Sequence, residues 1–123
     1  MSLCVIAGAT TLRLAVAAFT LGWTHSIERT RWEEDWRIAG ENLQIDAARV
    51  KGSGAGMEPG PEARLVDGWW RWRPDAPPTQ SLSLAGSQAT SEGWRLCAGQ
   101  TCLAIGAADG SSFADGASLA ACD

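Results

Sequence analysis

The feature that most constrains this chain is an alternation of apolar and polar side chains that changes phase once between residues 19 and 38. Apolar side chains fall on odd positions up to Ile27 and on even positions from Trp32 onwards. A period of two is typical of β-strands, and one change of phase is typical of two antiparallel strands joined by a turn. We therefore predict a hairpin with a tight turn at Arg29–Thr30. Its expected cross-strand pairs are Ile27 with Trp32, His25 with Glu34, Trp23 with Trp36, and Leu21 with Ile38. Arg29–Thr30 is not a favoured turn pair, so a longer loop is the alternative.

An alternative for residues 30–38 is a helix that begins at Thr30, where the Glu33 side chain would close a capping box. Trp, Thr and Ile favour strands, so we expect the hairpin. In a strand, Glu34 faces one way while Glu33 and Asp35 face the other. The acidic run is then a solvated strand face rather than a site for a hard metal ion.

The apolar N-terminal segment predicts two more strands. The first covers Leu3–Ala7 and the second covers Leu12–Ser26, with a β-bulge at Ala17–Ala18 where the alternation slips. The alternative is a membrane anchor or a secretory signal. Against it stand Arg13 in the middle of the segment and the lack of a basic residue before Leu3.

Turn-forming residue pairs predict where the middle of the chain reverses direction. Asp67–Gly68 is a strong signal for a two-residue hairpin turn. Ala39–Gly40 predicts an earlier reversal. The first strand expected around these turns is Asn42–Lys51, with Leu43, Ile45 and Ala47 on one face and a slip of the alternation before Val50. The next are Arg64–Trp72, which contains the Asp67–Gly68 turn, and Gln80–Leu84.

The last hairpin, over Trp94–Ile105, carries a candidate disulfide. A turn at Gly99–Gln100 places Cys97 directly opposite Cys102, and Gly in the first turn position suits a type II′ turn. The Cβ atoms of directly opposed residues lie about 4.5–5.5 Å apart, which is close to disulfide reach.

Together these signals predict an all-β fold, a small antiparallel sandwich or barrel of eight or nine strands in a single domain over residues 1–105. Residues 106–123 are rich in Gly, Ala, Ser and Asp, and we expect them to form a flexible tail. Cys4 and Cys122 could pair only if that tail docks. Reduced thiols are the alternative for all four cysteines, because disulfides imply an exported protein and no clear export signal is visible.

Composition argues against several classes of function. The formal net charge of −4 argues against a nucleic-acid binder. One His and four dispersed Cys leave few ways to build a zinc site, so we expect no metal and no other cofactor.

His25 and its predicted neighbours are the first candidates for chemistry. Facing Glu34, His25 could be a base or a ligand, and Ser26 is adjacent to it in the sequence. Consecutive strand residues point to opposite faces, so Ser26 is not its simple partner. The favoured interpretation is a structural His–carboxylate pair, and we do not expect an enzyme.

A second candidate group combines glycines, basic residues and Trp. Residues 52–56 resemble an anion-binding nest, with Lys51 beside them. Trp69, Arg71 and Arg73 interleave an aromatic ring with guanidinium groups, which suits a small organic acid because Arg binds carboxylates through two parallel hydrogen bonds. The alternative is a strand that packs Trp in the core and leaves Arg in solvent.

Three strings of residues carry a family resemblance. They are Trp23-Thr-His-Ser-Ile-Glu28 with Trp32-Glu-Glu-Asp-Trp36, then Ala48-Arg-Val-Lys-Gly-Ser-Gly-Ala-Gly-Met57, and Gly68-Trp-Trp-Arg-Trp72. Together they resemble the bacterial family called domain of unknown function 1850, over about Cys4 to Leu103. The resemblance directs attention to the motif positions His25, Ser26, Glu28, Glu33, Glu34, Gly54, Gly56 and Trp69.

That family has no assigned activity, and the resemblance supplies no catalytic residues. It implies genes that neighbour those of tripartite ATP-independent periplasmic (TRAP) transporters of the TAXI type, which pair a solute-binding protein with a fused permease. We therefore expect a non-enzymatic accessory protein that contacts the permease or the solute-binding protein, at a membrane or in the periplasm rather than in the cytoplasm. The alternative is a module that binds a small carboxylate.

Overall fold

The computed structural model describes residues 1–24, 30–51, 62–86, 93–107 and 109–123 of the chain. These residues form eleven β-strands and no α-helix. None of them belongs to a helix with the length and hydropathy of a membrane span. In chain order the strands are β1 (Ser2–Ala7), β2 (Thr10–Leu14), β3 (Ala18–Thr24), β4 (Arg31–Ala39), β5 (Asn42–Lys51), β6 (Arg64–Val66), β7 (Trp69–Trp72), β8 (Ser81–Ala85), β9 (Trp94–Ala98), β10 (Thr101–Ile105) and β11 (Gly116–Cys122).

The strands form two antiparallel sheets that share one core. The four-stranded sheet has the order β2-β1-β11-β8, and the seven-stranded sheet has the order β10-β9-β3-β4-β5-β7-β6. The sequence predicts either a sandwich or a barrel. Because neither sheet closes into a barrel, the architecture is a sandwich.

The core fills the space between the sheets with side chains from alternate strand positions. Leu3, Val5 and Leu119 of the four-stranded sheet are fully buried. They belong to the same cluster as Leu21 and Leu96 of the seven-stranded sheet. Burying a Leu or Val side chain stabilises the fold by about 1.5–3 kcal/mol. The opposite face of the seven-stranded sheet is left for polar and charged side chains.

The N-terminal residues form strands, but the long strand predicted over Leu12–Ser26 is wrong. It is divided into β2 and β3, and the chain crosses from one sheet to the other near Ala17–Ala18, where the bulge was expected. The Ala17 carbonyl accepts a hydrogen bond from the Ile38 amide at 2.8 Å, which fixes the start of β3 beside β4. The break lets the apolar side chains of both halves reach the core from opposite sides.

The hairpin of β3 and β4 is confirmed, whereas its predicted register is wrong. Thr24 of β3 pairs with Arg31 of β4, so the observed register does not fit a tight turn at Arg29–Thr30. A period-two pattern is satisfied equally by registers that differ by two residues, and aromatic stacking favours the observed one. The observed pairs include Phe19 with Trp36, Leu21 with Glu34, and Trp23 with Trp32.

Short turns fix the registers that the sequence predicts correctly. In the β9–β10 hairpin, Cys97 lies opposite Cys102. Gly99 has a φ of 61°, as the first position of a type II′ turn requires. In the β6–β7 hairpin, Asp67 and Gly68 have φ values of 53° and 86°, which a type I′ turn requires at both positions.

The buried face of β5 changes phase before Val50, as predicted, but the change comes before Ala47 and not after it. After Ile45 the next buried side chain is Ala48, whereas Ala47 was expected to continue the face. The pairing with β4 shifts between Asp35 and Trp36, which marks a β-bulge. The extra residue in β5 moves every later side chain by one position.

Residues 106–123 do not form the flexible tail that their composition predicted. β11 lies inside the four-stranded sheet, where Leu119 pairs with Val5 on one side and Leu82 on the other. A disulfide joins Cys4 to Cys122. A strand with a neighbour on each side is held mainly by its pairing, so its small side chains suffice once the neighbours supply the apolar bulk.

Candidate functional site

The outer face of the seven-stranded sheet, which points away from the core, collects basic side chains from several strands. Cross-strand pairing aligns one row of residues across the sheet, namely Arg95, Gly22, Glu33, Arg49, Arg71 and Arg64. Arg31, Asp35, Lys51 and Trp69 lie beside that row on the same face. These ten residues are called the basic face below.

The basic face concentrates positive charge in a chain whose formal charge is −4. It holds six of the chain's ten basic residues, together with the described carboxylates of Glu33 and Asp35. Such a separation of charge creates a local potential opposite in sign to that of the whole molecule. The face can therefore attract an acidic partner that the chain as a whole repels.

Arg49 is the fixed centre of the basic face. Its Nε donates to Glu33 Oε1 at 2.8 Å, and its Nη1 donates to Asp35 Oδ2 at 2.8 Å. Thr20 Oγ1 donates to the other oxygen of Asp35 at 2.9 Å. Only 15% of the Arg49 side chain is exposed. These charge-assisted bonds hold the guanidinium in one orientation.

The same contacts change the titration of Asp35 and Arg49. Burial raises the pKa of Asp35, but bonds from Arg49 and Thr20 and the charges of Arg49 and Arg71 outweigh it, so this pKa lies below its ordinary value. Burial lowers the pKa of Arg49, but its bonds to Asp35 and Glu33 outweigh that effect, so this pKa lies above its ordinary value. Both groups are therefore charged at neutral pH.

Gly22 gives Arg31 the room to lie flat on the basic face. A Cβ atom at position 22 would overlap the Arg31 guanidinium. Arg31 Nε donates to Glu33 Oε2 at 3.4 Å, while Arg49 holds the other oxygen of that carboxylate. A glycine inside a strand here marks a close approach by a neighbouring side chain.

Trp69 adds an aromatic ring to the charges of the basic face. Arg49 Cζ lies 6.0 Å and Lys51 Nζ lies 5.8 Å from the centroid of the Trp69 ring, which is within cation–π range. Four basic side chains of the face are exposed, and no described carboxylate lies within salt-bridge distance of any of them. They are Lys51, Arg64, Arg71 and Arg95.

A cluster of half-buried Trp side chains lies at one end of the inner face of the same sheet. Trp23 stacks on Trp32 with ring centroids 5.9 Å apart, and it tilts against Trp94 at 4.8 Å. Trp72 meets Trp32 edge-on at 6.0 Å. The rings contact one another, and we assign no site to this cluster.

Glu34 is the acidic residue on that inner face, where it pairs with Leu21 instead of the expected His25. Its Oε1 accepts a hydrogen bond from Trp36 Nε1 at 3.1 Å. Burial raises the pKa of Glu34, and the bond from Trp36 offsets only part of that rise. The fold therefore favours the protonated form of Glu34 more than the unfolded chain does.

Replacing Glu34 with Gln is expected to stabilise the fold at neutral pH. The native protein holds the Glu34 proton more tightly than the unfolded chain, so wild-type stability falls as pH rises from the unfolded pKa to the higher folded pKa. Gln stays neutral and still offers Trp36 an acceptor. Denaturant unfolding of Glu34→Gln and wild type at about pH 4 and about pH 7 measures the difference. A variant less stable than wild type at the higher pH would contradict the expectation.

The structure brings some of the predicted site residues together and separates others. Glu33, Lys51, Trp69 and Arg71 lie on the basic face. Arg73 instead lines an open groove of about 300 Å³ with residues that include Arg37 and Asp46. Arg37 Nε and Asp46 Oδ1 form a salt bridge of 2.9 Å there. The predicted positions that lie outside the described residues are His25, Ser26, Glu28, Gly54 and Gly56.

Three residues of the basic face were not predicted from the sequence as parts of a site, namely Arg31, Arg49 and Arg95. The available signal was that Arg49 and Lys51 alternate in the same phase as Trp69 and Arg71. These residues form one surface only in the register that pairs β5 with β7. Local sequence patterns do not predict that register, because the glycine-rich residues 52–61 and the β6 strand separate the two strands in the sequence.

A family model described as a domain of unknown function (DUF1850) matches residues 19–105 of the chain. That stretch includes almost all of the seven-stranded sheet and the whole basic face, and it excludes β1, β2 and β11. Neither the curated proteins nor the solved structures contain a match to the chain. The family match thus coincides with the sheet that carries the candidate site.

Proposed function

The chain belongs to the family of domain of unknown function 1850, and from this membership we propose that it is a non-enzymatic accessory protein of a TAXI-type TRAP solute transporter. It contacts the permease or the solute-binding protein of that transporter through the basic face. The observation that carries the proposal is the set of exposed cations on the basic face with no described carboxylate within salt-bridge distance, together with the fixed guanidinium of Arg49 beside Trp69. The family resemblance supports the class of partner.

The composition and rigidity of the basic face support a protein partner. Trp and Arg are enriched at protein interfaces and dominate their binding energy. Because Glu33 and Asp35 already hold Arg49 in place, little side-chain entropy is lost when a partner covers it. The described part of the face is formed by neighbouring strands of one sheet, which suits an extended contact better than a small ligand.

The two disulfides support a location outside the cytoplasm. Cys4 pairs with Cys122 and Cys97 pairs with Cys102, so each cysteine of the chain is oxidised. Disulfides persist in the periplasm and are rare in the cytosol. A periplasmic or membrane-associated accessory protein would meet the transporter on that side.

The pKa shifts of Asp35 on the basic face and Glu34 on the inner face support the non-enzymatic part of the proposal, because each has a structural cause. The lowered pKa of Asp35 is accounted for by Arg49 and Thr20, and the raised pKa of Glu34 by burial. Structural ion pairs and burial produce such shifts without catalysis.

Purification of the tagged protein from gently solubilised membranes tests the proposal. Wild type is expected to recover a permease or a solute-binding protein, identified by mass spectrometry. Arg71→Glu should reduce that recovery at least roughly tenfold, since a reversed charge at a charged interface costs more than about 1.4 kcal/mol. Its matched control is Arg13→Glu, the same charge change at an exposed strand position on the other sheet.

Two results would count against the accessory role. One is a wild-type preparation that never recovers transporter subunits. The other is equal loss of recovery in Arg71→Glu and Arg13→Glu, because it would trace binding to net charge instead of to the basic face. Thermal unfolding of both variants separates lost binding from lost folding.

The alternative function is a module that binds a small carboxylate. It is favoured by one observation, that Lys51 and Arg49 flank the Trp69 ring while Arg71 lies directly across from Arg49. Two basic groups beside a ring can hold a carboxylate against an apolar wall. The Arg73 guanidinium would not take part, because it lines a separate groove.

Tryptophan fluorescence distinguishes this alternative from the accessory role. A saturable change on titration with mono- and dicarboxylic acids, lost in Arg71→Glu and kept in Arg13→Glu, would favour the carboxylate module. A flat response across the panel, together with recovery of transporter subunits, would favour the accessory role.

A further inference from the structure

The two disulfides of this chain lie in contrasting surroundings. Cys4 is 9% exposed and belongs to a central strand of its sheet, and its partner Cys122 is half-buried. The bond between Cys97 and Cys102 lies in the edge hairpin of the seven-stranded sheet, where Cys97 is half-buried and Cys102 is exposed. Access of a thiol to the sulfur controls the rate of exchange, so the second bond is the more open to attack.

A positive charge lies directly beside the exposed disulfide. Arg95 Nε is 3.5 Å from Cys97 Sγ and donates to it. Arg95 is itself exposed, and no described carboxylate lies within salt-bridge distance of its guanidinium. A neighbouring guanidinium stabilises a thiolate, and a stabilised thiolate is the better leaving group in exchange.

The hairpin does not need this bond to keep its shape. β9 pairs with β10 over five positions and with β3 on its other side. Leu96 and Ala98 of β9 and Ile105 of β10 are buried in the core. Opening the bond is therefore a local event that leaves the sandwich folded.

We propose that Cys97–Cys102 is a thiol–disulfide exchange site that a dithiol reductant opens and an oxidant of the same class closes. A thiolate of the dithiol attacks Cys102 Sγ, the sulfur–sulfur bond breaks, and Cys97 Sγ leaves as a thiolate beside Arg95. The second thiol of the reductant loses its proton and attacks the reductant's first sulfur, which is bonded to Cys102 in the mixed disulfide. The bond to Cys102 breaks, and Cys102 is released as a thiolate. Two electrons pass from the dithiol to the protein, the reductant ends as a disulfide, and its two protons balance the two new thiols.

Timed reduction of the folded protein by dithiothreitol tests the proposal, with alkylation and peptide mass spectrometry to count reduced Cys97/Cys102 and Cys4/Cys122. The first pair is expected to react roughly tenfold faster than the second, because Cys102 is exposed whereas Cys4 is buried and Cys122 is half-buried. Equilibration in glutathione buffers should likewise open only the first pair.

Variants at position 95 test the role of the charge. Arg95→Leu is expected to slow reduction of Cys97–Cys102 by roughly three- to tenfold, and Arg95→Lys to restore most of the rate. Arg13→Leu is the matched control and should leave the rate unchanged. The proposal is overturned if both disulfides open together, if Cys97–Cys102 resists dithiothreitol, or if Arg95→Leu reacts like wild type while circular dichroism shows it folded. None of these readouts involves a transporter, so they stand apart from the accessory role.

Discussion

A chain that lacks residues 106–123 is expected to be unfolded. The deletion removes β11 from the middle of the four-stranded sheet, so β1 and β8 each lose a paired neighbour. It also removes Leu119, whose side chain is fully buried. Losing one buried Leu side chain alone costs about 2.7–5.0 kcal/mol, while the stability of a small protein is about 5–15 kcal/mol in total. Circular dichroism and thermal melting should show no cooperative transition.

Two milder changes, deletion of Asp123 and Leu119→Ala, serve as controls for the deletion of residues 106–123. Deleting only Asp123, which is exposed and lies beyond β11, should leave the melting temperature unchanged. Leu119→Ala should fall between the two deletions. A truncated chain that melts like wild type would mean that β11 adds nothing to the core.

Removing the Cys4–Cys122 disulfide is expected to cost about 4–5 kcal/mol of stability. The bond joins residues separated by 118 positions, and in the chain-entropy model a longer closed loop gives a larger stabilisation. For a chain of this size the loss corresponds to a fall in melting temperature of roughly 15 °C. The double variant Cys4→Ala/Cys122→Ala, unfolded in denaturant beside wild type, measures it.

The second disulfide provides the comparison. Cys97 and Cys102 are separated by 5 positions, so Cys97→Ala/Cys102→Ala should lose about 2 kcal/mol. Equal losses in the two double variants would contradict the assignment of Cys4–Cys122 as the main covalent support of the sandwich.

Local turn chemistry explains which parts of the fold could be predicted. The pairing of Cys97 with Cys102 follows from a two-residue turn at Gly99–Gln100, because a turn of fixed length and position allows only one register of the two strands. The β3–β4 pairing does not follow in this way. The alternation alone allows Trp23 to face Trp32 or Trp36, and ring stacking selects Trp32.

Non-local pairing explains what could not be predicted. β11 has few apolar residues, and its place is set by β1 and β8, which are distant in the sequence. The basic face has the same origin. Lys51, Trp69 and Arg71 were candidates individually, but Arg49 and Asp35 become a site only when four neighbouring strands are aligned.

The pairing of β1 with β11 joins the two ends of the chain, so the Cys4–Cys122 disulfide can form only after nearly all of the chain has been synthesised. At roughly 5–20 residues per second, Cys4 leaves the ribosome about 6–24 s before its partner 118 residues later. Cys97 and Cys102 emerge after Cys4 and before Cys122, and four cysteines allow three connectivities, two of them wrong for Cys4. Because Cys97 and Cys102 meet within one short hairpin, early closure of their bond withdraws both competing thiols. The nascent chain then offers Cys4 a single partner, Cys122, and the order of translation selects the native connectivity.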